Sequence, residues 1–476
     1  MSRKKRWLRR LREIVGKEYL LTDPASLLAY ESDALTLFRS QPAAVVLPAS
    51  EAECIAVVRL LAAEKIPFTA RGAGTGLSGG AVVEPGGVVL ALSRMQKILT
   101  LDPQQGFAVV EPGVVNDDLN REAARWGLRY APDPSSQTVC TLGGNLGENA
   151  GGPHCFKHGM TSQHVLFAKV VTATGKVETW GDAHSVPEDL DLRGFLVGSE
   201  GSVAVALQIG LRLIPKPQAI VTLFAAFDSI AGACAAVQSI VAQGLMPVAL
   251  EVMDQRAIRA VEASVYRCGL PTDAGAILLV DVEGPENQIQ EEAEAVEVAL
   301  QKHRPMKTER AQSPEQRRAL WKGRKGAGGA MGRLGPDSYV MDGVVPRSKL
   351  VQIMAYVEQV EQETDIPVAN LFHAGDGNIH PHFSYDSRDR SQADKVEAAG
   401  AKILRKCLEL GGSLSGEHGI GLEKEALLQE QFEPQELALM ERLRRVFNPE
   451  DLLNRGRGLP LGSGCAEAFH RHGGRP

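Results

Sequence analysis

The chain has 476 residues, of which 44% are hydrophobic and 23% charged, a composition typical of a globular protein with two or three domains. Its formal net charge of −6 argues against nucleic acid as a partner, since phosphate binding requires a basic surface. The seven cysteines are widely spaced and contain no Cys-x-x-Cys, which argues against a disulfide framework or an iron–sulfur centre and favours a reducing cytoplasm.

The N-terminus is strongly basic. Trp7, Leu8, Leu11, Ile14 and Val15 recur at helical spacing beside arginines and lysines. Two interpretations stay open: a helix that lies on anionic lipid at the inner face of a membrane or on an acidic partner, and a surface helix with solvated charges. No apolar run reaches the roughly 18 residues that a spanning helix needs, and no secretory signal follows the N-terminus.

The first half of the chain is predicted to alternate between helices and strands. A helix begins at Asp23-Pro24, a second helix occupies 51–64, and strands occupy 44–48, 87–92, 107–111, 165–180 and 202–214. Residues 130–165 are rich in Gly, Pro, Asn and Ser and are predicted to be irregular, and loops of that length are usually functional. Pro215-Lys-Pro217 predicts a domain boundary.

The second half repeats a β–α alternation with hairpin-like returns. Strands are predicted at 220–227, 248–253, 276–283, 338–346 and 368–373, and helices at 230–243, 255–266, 286–303, 349–363, 392–410 and 434–447. This order predicts an α+β fold whose antiparallel sheet is covered by helices on one face. The chain is therefore divided into a helical arm at 1–40, domains at 41–218 and 219–458, and a flexible tail at 459–476.

A glycine-rich stretch, Arg71-Gly-Ala-Gly-Thr-Gly-Leu-Ser-Gly-Gly80, contains the dinucleotide fingerprint G-x-G-x-x-G. That fingerprint requires a following helix, and Pro85-Gly-Gly87 prevents one, so the Rossmann interpretation fails on its context. Successive backbone N–H groups in such a turn can instead form an anion nest, to which Arg71 and Ser78 could add. A plain structural turn is the alternative.

A second stretch, His373-Ala-Gly-Asp-Gly-Asn-Ile-His380, carries two imidazoles, and Gly416-Glu417-His418-Gly419 adds a carboxylate and a third. Two histidines and one glutamate are a common ligand set for a catalytic divalent metal with open coordination positions. His418 would then serve proton transfer. Glu417 could instead pair with an arginine, and Asp376 is either a turn residue or a carboxylate that orients His373. A nucleotide site and a metal site in one chain indicate a redox enzyme.

These stretches, together with Pro132-Asp-Pro-Ser-Ser136, Thr141–Gly152 and Gly198-Ser-Glu-Gly201, resemble the vanillyl-alcohol-oxidase/PCMH flavoprotein family from about residue 20 to 458. Within that family the sequence is most similar to the FAD-linked catalytic chains that oxidise glycolate, D-lactate or D-2-hydroxyglutarate. The resemblance implies a PCMH-type two-subdomain FAD-binding domain at 41–218 and an α+β substrate- and metal-binding cap domain at 219–458.

The resemblance also implies roles for single residues. His373, His380 and Glu417 would bind the metal, His418 would be the catalytic base, and Arg324 would hold the substrate carboxylate. FAD contacts are implied for Arg71, Gly72, Gly74, Thr75, Gly76, Ser78, Gly79, Pro132, Asp133, Ser135, Gly143, Gly144, Asn145, Gly147, Asn149, Gly151, Glu200, Gly201 and Asn454.

Two departures from the family pattern affect these expectations. The chain has Asn454-Arg-Gly-Arg457 where the family usually has Asn-Pro-Gly-Lys, which loosens the turn that carries Asn454. No histidine lies clearly at a flavin-attachment position, so FAD is expected to be non-covalent. The metal is expected to be zinc, with manganese or iron as alternatives.

The implied reaction oxidises glycolate to glyoxylate, or D-lactate to pyruvate, by hydride transfer to the flavin. A base must take the weakly acidic hydroxyl proton, a metal assists, and the planar fork of an arginine suits the carboxylate. The small residues 326–330 could admit a small acid or could form a helix end and a turn. Electrons would leave through a separate acceptor, which could be an iron–sulfur subunit, a quinone or oxygen.

Several alternatives stay open at this point. The substrate could be D-2-hydroxyglutarate. The chain could be a metallohydrolase that uses the His/His/Glu set without a flavin, or a non-catalytic flavoprotein subunit of an electron-transfer complex. An oligomer is compatible with the sequence.

Overall fold

The computed structural model describes residues 3–183 and 190–458. The elements up to the predicted boundary are, in chain order, α1 Arg3–Val15, β1 Leu20–Leu21, α2 Pro24–Leu28, β2 Ala44–Val46, α3 Glu51–Ala63, β3 Phe68–Arg71, β4 Val88–Ala91, β5 Ile98–Asp102, β6 Phe107–Val110, α4 Asn116–Ala124, β7 Leu128–Arg129, α5 Leu142–Glu148, α6 Cys155–His158, α7 Thr161–His164, β8 Val165–Thr172, β9 Val177–Gly181, α8 Leu192–Leu196, β10 Ala204–Arg212 and β11 Ile214–Pro215.

The remaining elements are β12 Ala219–Phe227, α9 Ile230–Ala242, β13 Ala249–Asp254, α10 Gln255–Glu262, β14 Ala276–Gly284, α11 Ile289–Gln301, β15 Lys307–Arg310, α12 Pro314–Ala330, β16 Asp337–Val340, β17 Gly343–Val344, α13 Leu350–Thr364, β18 Val368–His373, β19 Asn378–Ile379, β20 Pro381–Tyr385, α14 Arg390–Glu409, α15 Leu428–Gln431 and α16 Pro434–Phe447.

The chain divides into two compact units. The first comprises residues 1–151, 160–216 and 417–476, and the second comprises 152–159 and 217–416. These units place 417–458 with the first unit, whereas the predicted cap domain runs from 219 to 458. The predicted domain limits therefore stay predictions, and the predicted tail at 459–476 lies outside the described residues.

The first unit contains two main sheets. One has four strands in the order β1-β2-β4-β3, with β4 parallel to both β2 and β3. The other is antiparallel, with five strands in the order β5-β6-β10-β8-β9. Strands β2 and β4 are buried throughout, because helices or loops cover both faces of such a sheet.

Helix α1 packs against α3 in the first unit, which bears on the proposed lipid contact. Trp7, Leu11 and Val15 are buried in the same apolar cluster as the inner face of α3. Arg10 pairs with Glu64 at 2.8 Å. The apolar stripe that a lipid-bound helix would bury in the membrane thus faces protein, and lipid contact could involve only the charged side. Among the described helices, none combines the length and the apolarity needed to cross a bilayer.

The second unit is built on one nine-stranded sheet. Its path is β15-β12-β14-β13-β18-β19-β17, and a β16–β20 pair joins it through β18. All of these pairings are antiparallel, as the sequence predicts. Helices α9, α11, α13 and α14 contact one another in one layer, and α10 packs against α12.

One face of β13 is directed at α12. Ala249 and Met253 lie in an apolar cluster with Leu320 and Ala327 of α12. Since side chains on a strand alternate between faces, Glu251 shares this face with its neighbours at 249 and 253. On α12, Arg324 lies four residues after Leu320 and therefore on the same buried side. The strand and helix periodicities together bring a carboxylate and a guanidinium into one core.

The sequence-based elements agree with the structure for most long segments, but the 17-residue helix α12 and several short elements were not predicted. Asp23 caps α2 by accepting the N–H of Ser26 at 2.9 Å, as its position before Pro24 predicts. The prediction of irregular structure at 130–165 is wrong, because α5, α6 and α7 lie there, each too short to show a helical period. The single strand predicted at 338–346 is also wrong, because it is divided into β16 and β17.

Asp254 gives the second unit a pH-dependent stability. It caps α10 through Ala257 and accepts the N–H of Asn370 at 2.7 Å, and burial raises its pKa from 3.8 to about 6. Between pH 4 and 6 the unfolded chain ionises this group while the folded chain keeps it protonated, so this group's contribution to stability falls as pH rises. We expect Asp254→Asn to gain about 3 kcal/mol relative to wild type between pH 4 and 7, at about 1.4 kcal/mol per pKa unit. Denaturant unfolding at several pH values measures this difference, and a constant offset would contradict it.

Candidate functional site

The loop after β3 has the properties of an anion nest. No backbone N–H from Gly72 to Gly80 donates a hydrogen bond to another described residue. The hydroxyl of Ser78 is fully buried and has no partner within the described part of the chain. Buried donors are rarely left unpaired in a native protein, so this loop fits a phosphate-bearing ligand.

The guanidinium of Arg71 packs against this loop and is held by backbone carbonyl groups. Its guanidinium donates to the carbonyl oxygens of Ser32, at 2.7 Å, and Ala29, at 3.4 Å. A Cβ on Gly74, which has a φ of +74°, would overlap that guanidinium. Burial lowers the pKa of Arg71, and the nearby Asp33 opposes this shift. The contribution of Arg71 to the nest is therefore structural support as well as charge.

Helix α5 begins against the same loop. A Cβ on Gly72 would overlap Thr141 Oγ1, the N-cap atom that accepts the N–H of Gly144 at 3.3 Å. Asn116 joins this helix to the predicted cofactor stretch at 132–135, because its side-chain amide donates to Pro132 O at 3.0 Å and to Asn145 Oδ1 at 3.2 Å. Asn116 is fully buried, and sequence reasoning missed it.

Glu200 and Asn454 complete this part of the first unit. The backbone N–H of Glu200 donates to Gly147 O at 2.7 Å. Asn454 accepts the N–H of Ala70 at 2.8 Å and donates to Glu200 O at 2.7 Å. A Cβ on Gly201 would lie 3.0 Å from the Asn454 amide. Asn454 therefore joins its own segment to β3, although the family's proline is missing after it.

The segment that carries Glu417 and His418 is anchored within the first unit. The Glu200 carboxylate accepts the N–H groups of Ile420, at 2.6 Å, and Gly421, at 2.8 Å. Burial raises the pKa of Glu200, and these two donors oppose the shift. Glu148 lies beside the same turn, since a Cβ on Gly419 would be 2.7 Å from its Oε2, and burial and the charge of Glu200 raise the pKa of Glu148 well above its usual range.

The predicted FAD residues all lie in the first unit, as do Glu417 and His418, whereas Arg324, His373 and His380 lie in the second unit. Ser135 is exposed at the edge of its stretch, while the neighbouring Pro132 and Asp133 are buried.

His373 ends β18 and is held by a carboxylate that sequence reasoning missed. Its Nδ1 lies 2.8 Å and 2.9 Å from the two carboxylate oxygens of Glu251. The two residues are direct cross-strand partners on β18 and β13. Asp376 instead accepts the N–H of Asn378 at 3.1 Å, as expected of a turn residue. Glu251 therefore has the role of orienting His373, for which the sequence analysis named Asp376 as a candidate.

The ring of His380 is also held through its Nδ1, in this case by a backbone carbonyl group. Its Nδ1 lies 3.1 Å from the carbonyl oxygen of Met341. The rings of His373 and His380 are nearly perpendicular, with centroids 5.2 Å apart, and their candidate ligand nitrogens lie within 4.8 Å of each other. Because each Nδ1 faces an acceptor, each Nε2 keeps its lone pair, and the pair fits a divalent metal.

Asp342 fixes the chain just before Glu417. It is fully buried, accepts the Ser415 hydroxyl at 2.6 Å, and accepts the N–H of Gly416 at 3.0 Å and 3.1 Å. A Cβ on Gly416 would overlap the side chain of Asn378, so this position requires glycine. No sequence motif points to Asp342, because it lies between β16 and β17, where the sequence pattern indicates the interior of one strand.

Arg324 is buried on α12 and pairs with Glu251. Its Nη2 lies 2.6 Å from Glu251 Oε2, and its side chain is 2% exposed. Its Nε is buried and has no partner within the described residues, so its N–H can still donate a hydrogen bond to a ligand carboxylate. Helix α12 continues to Ala330, and a Cβ on Gly326 would overlap the ring of Tyr266. The small residues after Arg324 thus form the last turns of a helix, and Gly326 allows close packing there.

Two family models match the chain. Residues 42–181 match the family model of the FAD binding domain, and residues 216–457 match the model of the C-terminal domain of FAD linked oxidases.

Curated relatives extend along nearly the whole chain. It is 41% identical over 467 residues to the glycolate oxidase subunit GlcD of Escherichia coli (strain K12), which covers 98% of this chain and 93% of that protein. Identity is 34% to GlcD of Bacillus subtilis (strain 168), covering 94% and 95%, and 31% to the D-lactate dehydrogenase of Anaerostipes hadrus, covering 94% and 96%.

Solved structures show the same fold at low identity. p-Cresol methylhydroxylase superposes with a TM-score of 0.82 at 16% identity, covering 96% of both chains. 4-Ethylphenol oxidase from Gulosibacter chungangensis gives 0.81 at 18%, covering 96% of this chain and 98% of that one. The predicted fold class, α+β with a PCMH-type FAD-binding domain, is confirmed.

Proposed function

The chain belongs to the family of FAD-linked oxidases and is an oxidoreductase, and we propose that it oxidises a small D-2-hydroxy acid, glycolate or D-lactate, with the help of a divalent metal. The observation that carries the proposal is the buried group in the second unit, where Glu251 joins His373 to Arg324. A metal ligand and a carboxylate-binding cation in one network suit a substrate that has a hydroxyl next to a carboxylate.

FAD would be held non-covalently by the first unit. The unpaired N–H groups of Gly72–Gly80 would bind its pyrophosphate, supported by Arg71, and α5 with Glu200–Gly201 would line the rest of the cofactor. Bound FAD supplies a hydride acceptor. The chain's task is then to hold the substrate and to remove one proton.

A divalent metal would be held by Nε2 of His373, Nε2 of His380 and the carboxylate of Glu417. The first two nitrogens are directed by the acceptors at their Nδ1 atoms, and Glu417 follows Gly416, which Asp342 holds in place. The metal would make the substrate hydroxyl more acidic. Zinc suits two imidazoles and a carboxylate, and manganese and iron accept the same ligands.

Arg324 and His418 would act on the two ends of the substrate. Arg324 would bind the carboxylate through its unpaired Nε, which fixes the Cα–H direction. His418 would take the hydroxyl proton at a ring nitrogen while the Cα hydrogen leaves as hydride, so that one proton and one hydride depart and the C–O single bond becomes a carbonyl. The products would be glyoxylate from glycolate and pyruvate from D-lactate.

The electrons would then pass to a separate acceptor. The six described cysteines lie far apart along the chain, and among the described residues none of the side-chain groups that could hold a metal contains a cysteine. A partner iron–sulfur subunit, a quinone or oxygen would fill this role, and the relatives named as oxidase subunits support a partner chain.

An anaerobic substrate titration tests the proposed reaction. We expect glycolate or D-lactate to bleach the flavin absorbance of the purified protein, while L-lactate leaves it unchanged because its Cα–H has the opposite orientation. D-2-Hydroxyglutarate is included as the larger alternative. A flavin that none of these acids reduces would indicate a non-catalytic subunit.

Removal of the metal is expected to stop turnover without releasing the flavin. Chelation, or Glu417→Ala, should lower kcat by about 10³-fold, because stabilising the developing alkoxide is worth several kcal/mol. Metal analysis, flavin absorbance and steady-state rates measure the outcome. Glu430→Ala, at an exposed position thirteen residues later, is the control and should behave as wild type. Full activity in metal-free protein would remove the metal from the proposal.

A further inference from the structure

We propose that Glu251 is a positioning residue that sets both the metal-binding tautomer of His373 and the orientation of Arg324. The inference deepens the proposed function and rests on it. Glu251 lies 122 residues before His373 in sequence and belongs to none of the sequence motifs that point to the site.

The contact follows from sheet register. Glu251 on β13 and His373 on β18 are direct antiparallel partners, so both side chains leave the sheet on the same face. The Glu251 side chain is 1% exposed and that of His373 is 7% exposed. Both carboxylate oxygens lie within 2.9 Å of Nδ1. Because both residues lie on paired strands and not on loops, the sheet register fixes the contact between Glu251 and His373.

The chemistry of the pair determines the histidine tautomer. An ionised carboxylate only accepts hydrogen bonds, so His373 must carry its hydrogen on Nδ1. Nε2 is then left with its lone pair, which is the form that binds a metal. A carboxylate behind a histidine ligand also raises the basicity of the imidazole and fixes the plane of the ring.

The same carboxylate holds Arg324. Glu251 Oε2 is 2.6 Å from Nη2 of Arg324, and both side chains are almost fully buried. This ion pair uses one edge of the guanidinium and leaves Nε unpaired. One carboxylate thus determines where the metal ligand and the carboxylate-binding cation lie relative to each other.

A simple packing role does not account for this arrangement. The neighbours of Glu251 on its strand face, Ala249 and Met253, belong to an apolar cluster, and an apolar side chain would fill the same place without the cost of burying a charge. The second unit also contains another buried glutamate that contacts a histidine ring. Glu283 on β14 is 4% exposed and lies 2.5 Å from Nε2 of His158.

The test compares Zn²⁺ affinity in two matched variants of the FAD-loaded protein. Glu251→Gln keeps the size of the side chain but removes its charge, and Glu283→Gln makes the same change at the comparison pair. We expect Glu251→Gln to weaken Zn²⁺ binding by 10- to 100-fold, measured by competition with a chromophoric chelator, and to raise KM for the acid. Glu283→Gln should bind Zn²⁺ as wild type does.

Flavin content and thermal melting show whether each variant is folded. If Glu251→Gln does not fold, Glu251→Asp takes its place, because it keeps the charge but retracts it by one methylene, and its Zn²⁺ affinity should fall by about 10-fold. Wild-type Zn²⁺ affinity in a folded Glu251 variant overturns the inference alone. A wild-type protein that binds no Zn²⁺ overturns the inference and the metal part of the proposed function together, and unreduced flavin in the substrate titration overturns the proposed reaction.

Discussion

Replacing His418 by alanine is expected to lower kcat by about 10²- to 10⁴-fold, the usual contribution of a general base, while the purified protein keeps its FAD and its metal. The flavin should remain because the segment around His418 is held by backbone donors: Ile420 and Gly421 give their N–H groups to Glu200, and the variant leaves these bonds intact. Stopped-flow measurement of anaerobic flavin reduction isolates the step in which the base acts.

The control for this experiment is His303→Ala, a partly exposed histidine that follows α11. It should reduce its flavin at the wild-type rate. If His418→Ala is reduced at that same rate, the proton is removed by another group and the assignment of the base is wrong. If the variant loses metal or FAD, its slow turnover has a structural cause, and metal and flavin analysis distinguish the two cases.

Arg324→Lys is expected to lower kcat/KM by about 10²-fold, mainly through KM. Lysine keeps the charge but loses the planar fork that matches a carboxylate. Arg324→Met should have a second effect, because it leaves the Glu251 carboxylate buried without its cation, and breaking a buried pair from one side costs about 3–5 kcal/mol. The double variant Arg324→Met/Glu251→Gln should recover much of that stability but none of the activity.

Arg317 offers a matched control on the same helix. It lies two turns before Arg324 and pairs with the buried Asp281 at 2.8 Å. Arg317→Lys should therefore change stability slightly and leave KM unaltered. Steady-state kinetics and thermal melting of the four variants separate substrate binding from folding. A wild-type KM in Arg324→Lys would show that the substrate carboxylate binds elsewhere.

Most of the long elements, although not the 17-residue helix α12, could be predicted because their signals are local. Helix α3 shows apolar residues at helical spacing after a capping serine, and β18 is a short apolar run that ends at His373. Helices α5, α6 and α7 were missed because four to seven residues contain at most two turns. Their stability comes from N-caps such as Thr141 and from contacts with distant segments, neither of which produces a period.

The residues of the candidate site also divide into those with a local sequence signal and those whose role depends on distant partners. Glycine-rich stretches identify where the backbone must approach a ligand. Residue type and spacing identify the candidate metal ligands and base, which are His373, His380, Glu417 and His418. Glu251, Asp342 and Asn116 lie in ordinary strand, loop and helix sequence. Their importance depends on partners that are 122, 74 and 29 residues away, respectively, and no local pattern carries that information.

The sequence by itself determined the family, the α+β class, the flavin loop and the candidate ligands, because each depends on residue types at short spacing. Tertiary structure alone decided how those groups are held: which carboxylate faces His373, which carbonyl faces His380, and that one buried glutamate serves both His373 and Arg324. The physical reason is that sheet register and helix packing, set by burial over the whole unit, bring these side chains within hydrogen-bonding distance.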